Sequence, residues 1–259
     1  MPRIVIRRAI PYVAAFACAA GFVAPSLAEA SGGSGGSGFG TASGGSGSAS
    51  GSQGQVTAQP GNVPVTASGD GMTISTNASG ILRRGLTVTG SLPSADSGKT
   101  VDVEISGAKT NWAWETVATG QVRSNGTFSA VWATNHIGRF SIRAVTGPAG
   151  DASASAAGPT VTVTVYRPSL ATLYGPGFYG HKTACGVTLR RTTIGVANRT
   201  LPCGTPVAIY YDGETLIVPV IDRGPYAHNA DWDLTMATGK ALGMTGTALL
   251  DATSLPRSS

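Results

Sequence analysis

Asp222 closes an apolar run, Val218-Pro-Val-Ile-Asp222, and leads directly into Arg223-Gly224-Pro225. Asp233 follows eleven positions later, in Asp233-Leu234-Thr235, at the head of a stretch that reads as a short helix. A strand end holds a side chain in a fixed place, and a turn beside it leaves that side chain open to a ligand. One carboxyl group in a shallow, sugar-sized groove can serve as general acid and then general base, and two can divide the work. Aspartates at turns also commonly cap helices or close Asx-turns. The pair therefore takes its meaning from the elements that position it.

Two alternating runs, Val207-Ala-Ile-Tyr and Thr215-Leu-Ile-Val-Pro-Val, supply strands on the N-terminal side of Asp222. Thr235 to Leu242 reads as the one short helix, ended at Gly243. Tyr174, Phe178, Tyr179, Tyr226 and Trp232 surround the two acids in sequence. Flat rings stack on sugar faces and also fill small barrel cores. Tyr226 and Trp232 lie in the polar turn between the acids and are read as groove residues, whereas packing is the better reading for the other three. His181 and His228 read as solvated loop residues. No set of His, Cys and acidic residues has metal-ligand spacing, so neither a metal nor another cofactor is expected.

Four blocks in order carry a family resemblance. They are Tyr174-Gly-Pro-Gly-Phe-Tyr-Gly-His-Lys-Thr183-Ala-Cys185-Gly, Asn198-Arg-Thr-Leu-Pro-Cys203-Gly, Asp222-Arg-Gly-Pro and Asp231-Trp-Asp233-Leu-Thr. Together, over residues 170–254, they resemble the rare lipoprotein A (RlpA) family, a six-stranded double-psi β-barrel related to expansins and to the barrel of a lytic transglycosylase. The resemblance implies a peptidoglycan ligand and, in some members, cleavage of glycan strands without water. It implies Asp222 and Asp233 as the catalytic pair, with Thr183 and Asn198 lining the groove beside Tyr226 and Trp232. Two positions depart from the family pattern: Val187 stands where many members carry Glu, and Asn198 where many carry His. Asn hydrogen-bonds sugars but does not shuttle protons near neutral pH. Three readings therefore stand: a lytic transglycosylase-like enzyme, a non-catalytic expansin-like wall binder, and a structural adhesion or matrix protein.

The beginning of the chain is a separate device. Arg3, Arg7 and Arg8 precede an Ala-rich apolar run from Ala9 to Val23, and Ala28-Glu29-Ala30 offers a small-x-small cleavage site. Residues 1–30 read as a secretory signal peptide. The run is interrupted and short for a bilayer span, so no stable membrane insertion is expected after cleavage. Phe16 makes the sequence before Cys18 a poor lipoprotein box. Loss of the leader leaves Cys185 and Cys203, and an even pair in an exported chain reads as a disulfide. The formal charge of +5 would fall to +3, without a dense Lys/Arg patch, which excludes a nucleic-acid partner. The expected location is outside the cell or on its wall, as a monomer.

Residues 31–59 are dominated by Gly, Ser and Ala at their start and read as a flexible tether. Residues 60–166 change character. Seven short alternating runs begin at Met72, Leu86, Val101, Trp114, Thr127, Arg139 and Thr160, separated by turn signals. That pattern predicts an immunoglobulin-like β-sandwich without cysteines. Trp112, Trp114 and Trp132 offer either a sugar-binding face or core anchors, and a spacer role is the preferred reading. Arg167-Pro168-Ser169 reads as the junction to the barrel. The whole chain is thus expected to be all-β with one short helix.

Overall fold

The computed structural model describes residues 63–147, 158–227 and 229–257. The leader, the tether and His228 lie outside the described residues. Strands β1 (Pro64–Gly69), β2 (Met72–Asn77), β4 (Gly85–Ser91) and β7 (Thr127–Ala133) form an antiparallel sheet in the order β1-β2-β4-β7. Facing it are β3 (Ser79–Ile81), β5 (Thr100–Gly107), β6 (Glu115–Gln121), β8 (Gly138–Thr146) and the first half of β9 (Thr160–Tyr174). All seven predicted runs are strands. The two strands without a predicted run, β1 and β3, are short or polar. β1 is joined to β2 through Asp70-Gly71, both at positive φ, the pairing that a two-residue hairpin turn requires.

Period-two alternation places one face of each sheet in a shared core. Val88, Val101, Val103, Ile105, Phe128, Trp132, Phe140 and Ile142 pack there, each almost wholly buried. Trp132 meets Phe140 edge-on at 5.6 Å, worth roughly 0.5–1.5 kcal/mol beyond area burial. The indole N–H of Trp132 is retained by Asn135 at 3.0 Å. Trp132 is therefore a core anchor. Trp112 and Trp114 stand at the surface, the latter under the Arg143 guanidinium at 4.2 Å.

The remaining strands are β10 (Val196–Ala197), β11 (Pro206–Tyr211), β12 (Glu214–Asp222), β13 (Trp232–Thr235) and β14 (Ala248–Ser254), with helix α1 at Met236–Ala241. They run β13-β10-β12-β11-β14-β9, and β9 also pairs with β13, which closes a six-stranded barrel. The pairs β10–β12 and β9–β13 are parallel, whereas β10–β13, β11–β12, β11–β14 and β9–β14 are antiparallel. Its core consists largely of aliphatic residues, among them Val196, Val207, Ile209, Val218 and Leu234. Thr235 caps α1 by accepting the Thr238 N–H, and Gly243 follows at φ +71°, where a side chain would be strained.

The expected junction at Arg167-Pro168-Ser169 is not a linker. β9 runs unbroken for 15 residues through it. Before Pro168, β9 pairs with β3 and β8; from Arg167 onward it pairs with β14 and then β13. Pro168 has no N–H to offer and lies where the partners change, a place that tolerates proline in a strand. A third small core of Tyr166, Ala208 and Leu255, with Ile81, Tyr210 and Ile217 against it, fills the seam between sandwich and barrel.

Candidate functional site

Asp222 is the last residue of β12 and Asp233 the second of β13. Between them runs β10. Ala197 is the register partner of Asp222 on one side and of Asp233 on the other. The register of β10 against β12 shifts between Val196 and Ala197, from Val220 to Asp222, and such an irregularity re-aims the side chain that follows. The two acids thus flank one small residue across two strand spacings, ~10 Å between backbones.

Each carboxylate is tied by one oxygen. Oδ1 of Asp222 accepts the backbone N–H groups of Ala184, at 2.9 Å, and Arg223, at 2.8 Å. The Ala184 bond brings the 180–187 loop to the strand end, and the Cys185–Cys203 disulfide fixes it there. Closing a loop of that size is worth about 3 kcal/mol in the chain-entropy description. Oδ1 of Asp233 accepts the Thr172 hydroxyl at 2.8 Å. Burial pushes the proton affinity of Asp233 up, and the Asp222 charge adds to it, against the lowering effect of the Thr172 bond.

Tyr174, at the end of β9, pairs in register with Thr235, two residues past Asp233. Among the described residues its buried hydroxyl has no hydrogen-bond partner. Burial, then the charges of Asp222 and Asp233, push the phenol well above its ordinary range, so it stays a proton donor. A buried donor left unpaired costs about 1–3 kcal/mol, and such groups call for an explanation. Tyr174 was expected in the core; the signal that could have set it apart is its place at the end of a strand, immediately before Gly175.

The other candidates divide. The Thr183 hydroxyl accepts the Val187 N–H at 3.2 Å and shapes the loop one residue before Ala184. Asn198 donates its backbone N–H to the Asp222 carbonyl at 3.2 Å, so it adjoins the acid. Its carboxamide oxygen is engaged by the N–H groups of Thr200 and Leu201, at 3.1 and 2.9 Å, which leaves the NH2 for other contacts. Tyr226 is 80% exposed, beyond the cis Gly224–Pro225 bond. Trp232 is corrected: it is 6% exposed and packs in the barrel core, because the polar turn ends one residue earlier and β13 points its ring inward. Phe178 is corrected in the opposite sense. It is 59% exposed, and its ring meets that of Tyr174 at 6.4 Å.

Sequence reasoning did not single out Arg199. Its Nη1 donates to the carbonyls of Pro225, at 2.7 Å, and Ala230, at 3.0 Å, and so holds the segment between the two acids. An arginine immediately after Asn198 was the only signal.

A closed barrel with two crossed parallel pairs, carrying two carboxylates on strands either side of β10, defines a double-psi β-barrel domain with a paired-acid rim. Residues 169–253 match the family model described as lytic transglycolase. They form an RlpA-like double-psi β-barrel. The probable endolytic peptidoglycan transglycosylase RlpA of Synechocystis is 34% identical over 85 residues, which is 32% of this chain and 26% of that protein. The corresponding Aquifex aeolicus protein is 40% identical over 81 residues, covering 30% of this chain and 36% of its own. The endolytic peptidoglycan transglycosylase RlpA of Campylobacter jejuni is 35% identical over 83 residues, 30% of each chain. The likeness is thus to the barrel, and the chain spans about a third or less of the length of two of these relatives.

Proposed function

We propose that this protein acts on the glycan strands of peptidoglycan as a lytic transglycosylase, with Asp222 as general acid and base. The observation that carries the reading is the acid pair flanking Ala197, with the unpartnered Tyr174 hydroxyl acting on neither carboxylate through a hydrogen bond yet influenced by both. Asp222 has one oxygen held by two backbone N–H groups, which leaves the other for the substrate.

In this reaction protonated Asp222 gives its proton to the glycosidic oxygen as the bond from C1 breaks. The muramyl 6-hydroxyl then bonds to C1, and its proton passes to the Asp222 carboxylate. The acid is regenerated, an anhydro end forms, and no water is consumed. Asp233, held by Thr172, places a second carboxyl group beside the site. As a carboxylate it stabilises positive charge at C1. Tyr174 supplies a donor for a substrate oxygen, which satisfies its hydroxyl when the groove is filled. Phe178 and Tyr226 provide exposed ring surface at the rim.

Residues 1–30 are proposed to direct export and residues 31–59 to tether the folded part, with the sandwich as spacer. Binding without turnover, in the manner of expansins, is the second reading. It is favoured by Val187 at the exposed loop position and by Asn198, whose carboxamide oxygen is spent on its own turn.

Incubation of the protein with purified peptidoglycan, followed by mass analysis of the soluble products, separates the readings. Anhydromuramyl fragments, one water lighter than hydrolysis products, are expected. Pelleting with peptidoglycan without release of such fragments supports the expansin-like reading. Neither cutting nor pelleting sinks both.

A further inference from the structure

Away from the acid pair, a cleft of about 290 Å³ opens at the seam where β3 and β4 of the sandwich meet β9, β11 and β14 of the barrel. Tyr166 and Tyr210 form its aromatic lining, with ring centroids 6.3 Å apart. Asp251 stands next to Tyr210 in register, and Asn77, Ser79 and Arg84 complete the polar wall. The volume suits one sugar ring or one amino acid, at the lower end of small-molecule sites.

The unusual member is Asp251. Its side chain is half-buried, and among the described residues no hydrogen bond or ion pair reaches its carboxylate. Carboxylates removed from water are ordinarily paired or multiply hydrogen-bonded. Asp233, a part-buried acid elsewhere in the barrel, has its Thr172 hydroxyl. Asp251 has nothing comparable, and burial alone raises its proton affinity, without an opposing cation. The Arg84 guanidinium does not fill the gap: among the described residues its side chain makes no hydrogen bond or ion pair, and the residue is held through its backbone alone, the N–H by Ile81 and Thr134 and the carbonyl by Thr134. The Tyr166 hydroxyl is hydrogen-bonded to Thr215.

An unpaired carboxylate beside the part-exposed Tyr210 ring, which rests on the buried Tyr166, matches one chemistry. Ammonium groups are recognised by ring faces and by a single anion at close range. We propose that this cleft is a second ligand site, which takes an ammonium-bearing small molecule with its charge against Asp251 and the Tyr210 ring. The ammonium group can belong to an amino sugar or to an amino acid; both fit the volume. The site spans both lobes, so its occupation would brace the seam. The inference does not depend on the acid pair or on turnover.

Titration of the full chain with glucosamine, lysine and N-acetylglucosamine, followed by amide chemical shifts, tests it. Saturable shifts at Ser79, Gly80 and the neighbours of Asp251 are expected with at least one of the two amines. The amine that produces them identifies the source. N-acetylglucosamine, which has no ammonium, should bind at least about tenfold more weakly than glucosamine if the amino sugar is the ligand. Asp251→Asn should lose roughly tenfold or more in affinity for the amine. The same substitution should leave the melting temperature unchanged or raised, because it removes an uncompensated charge; a purely structural aspartate would give the opposite. Tyr210→Leu keeps apolar bulk without the ring and should also weaken binding, which covers the case in which Asp251→Asn folds poorly. Absence of shifts with both amines, equal binding of the neutral sugar and glucosamine, or unaltered binding by Asp251→Asn and Tyr210→Leu overturns the proposal.

Discussion

The barrel and the sandwich are both built from short strands, yet they are held together differently. The sandwich places large side chains, Phe128, Trp132 and Phe140, in a core between two sheets. The barrel core consists largely of aliphatic residues with Trp232, and its long loops are pinned by Cys185–Cys203 and by Arg199. Most of the segment from Gly175 to Ile194 lies outside strands, and its Ala184 reaches Asp222. A lobe whose loops must present chemistry cannot rely on ladders alone, and it gains rigidity from a covalent link and carbonyl-bound guanidinium. A lobe without paired acids can rely on packing.

Four changes press on that contrast. Phe128→Ala removes the largest share of a core ring and should cost about 3–5 kcal/mol in chemical denaturation. Because β9 belongs to both lobes, fluorescence of the tryptophans in both lobes should report one lowered transition; two separated transitions would show that the lobes unfold independently. Replacing Cys185 and Cys203 with Ser should cost about 3 kcal/mol, read by thermal melting with and without reductant on the parent protein. An unchanged melt would leave the barrel as packing-dependent as the sandwich. Asp222→Asn keeps shape and hydrogen bonding but removes the transferable proton. Release of anhydromuramyl product should fall by roughly 10²-fold or more, with peptidoglycan pelleting retained within a few-fold.

The smallest effect belongs to Asp233. Its proton affinity is raised in the folded state, chiefly by burial and then by Asp222. The folded protein therefore holds that proton more tightly than the unfolded chain. The stabilisation from the protonated form is full below the ordinary aspartate value of 3.8 and is lost as pH rises through the higher folded value. Asp233→Asn should raise the melting temperature near neutral pH by roughly 2 °C, and the gain should vanish in acid below that window. A gain that persists there would remove ionisation of Asp233 as its cause.

Much of this organisation is legible in residue order. Alternation from Met72 to Val165 marks seven strands, because each has one buried face, and Thr235 with Gly243 brackets the helix. The acids were visible as strand-end and turn residues. Trp232 was not, because a tryptophan beside two aspartates looks polar in one dimension; only the pairing of β13 with β9 and β10 turns its ring inward. Phe178 failed for the complementary reason: an aromatic in a glycine-rich loop has no periodicity to reveal its face. The orphaned Tyr174 hydroxyl depends on which partners are absent, and a sequence cannot list those. The seam cleft likewise needs Ser79 and Asp251 to be neighbours across more than half the chain.

β9 also changes what can be inherited or exchanged. Where two lobes meet through a loop, a shuffled gene can swap one for another at the loop. Here a crossover near Pro168 would divide a single strand and leave Ala208, Ile217 and Leu255 without the cover of Tyr166. A barrel borrowed from this chain would therefore need to bring Thr160–Tyr166 with it or find new cover for that face.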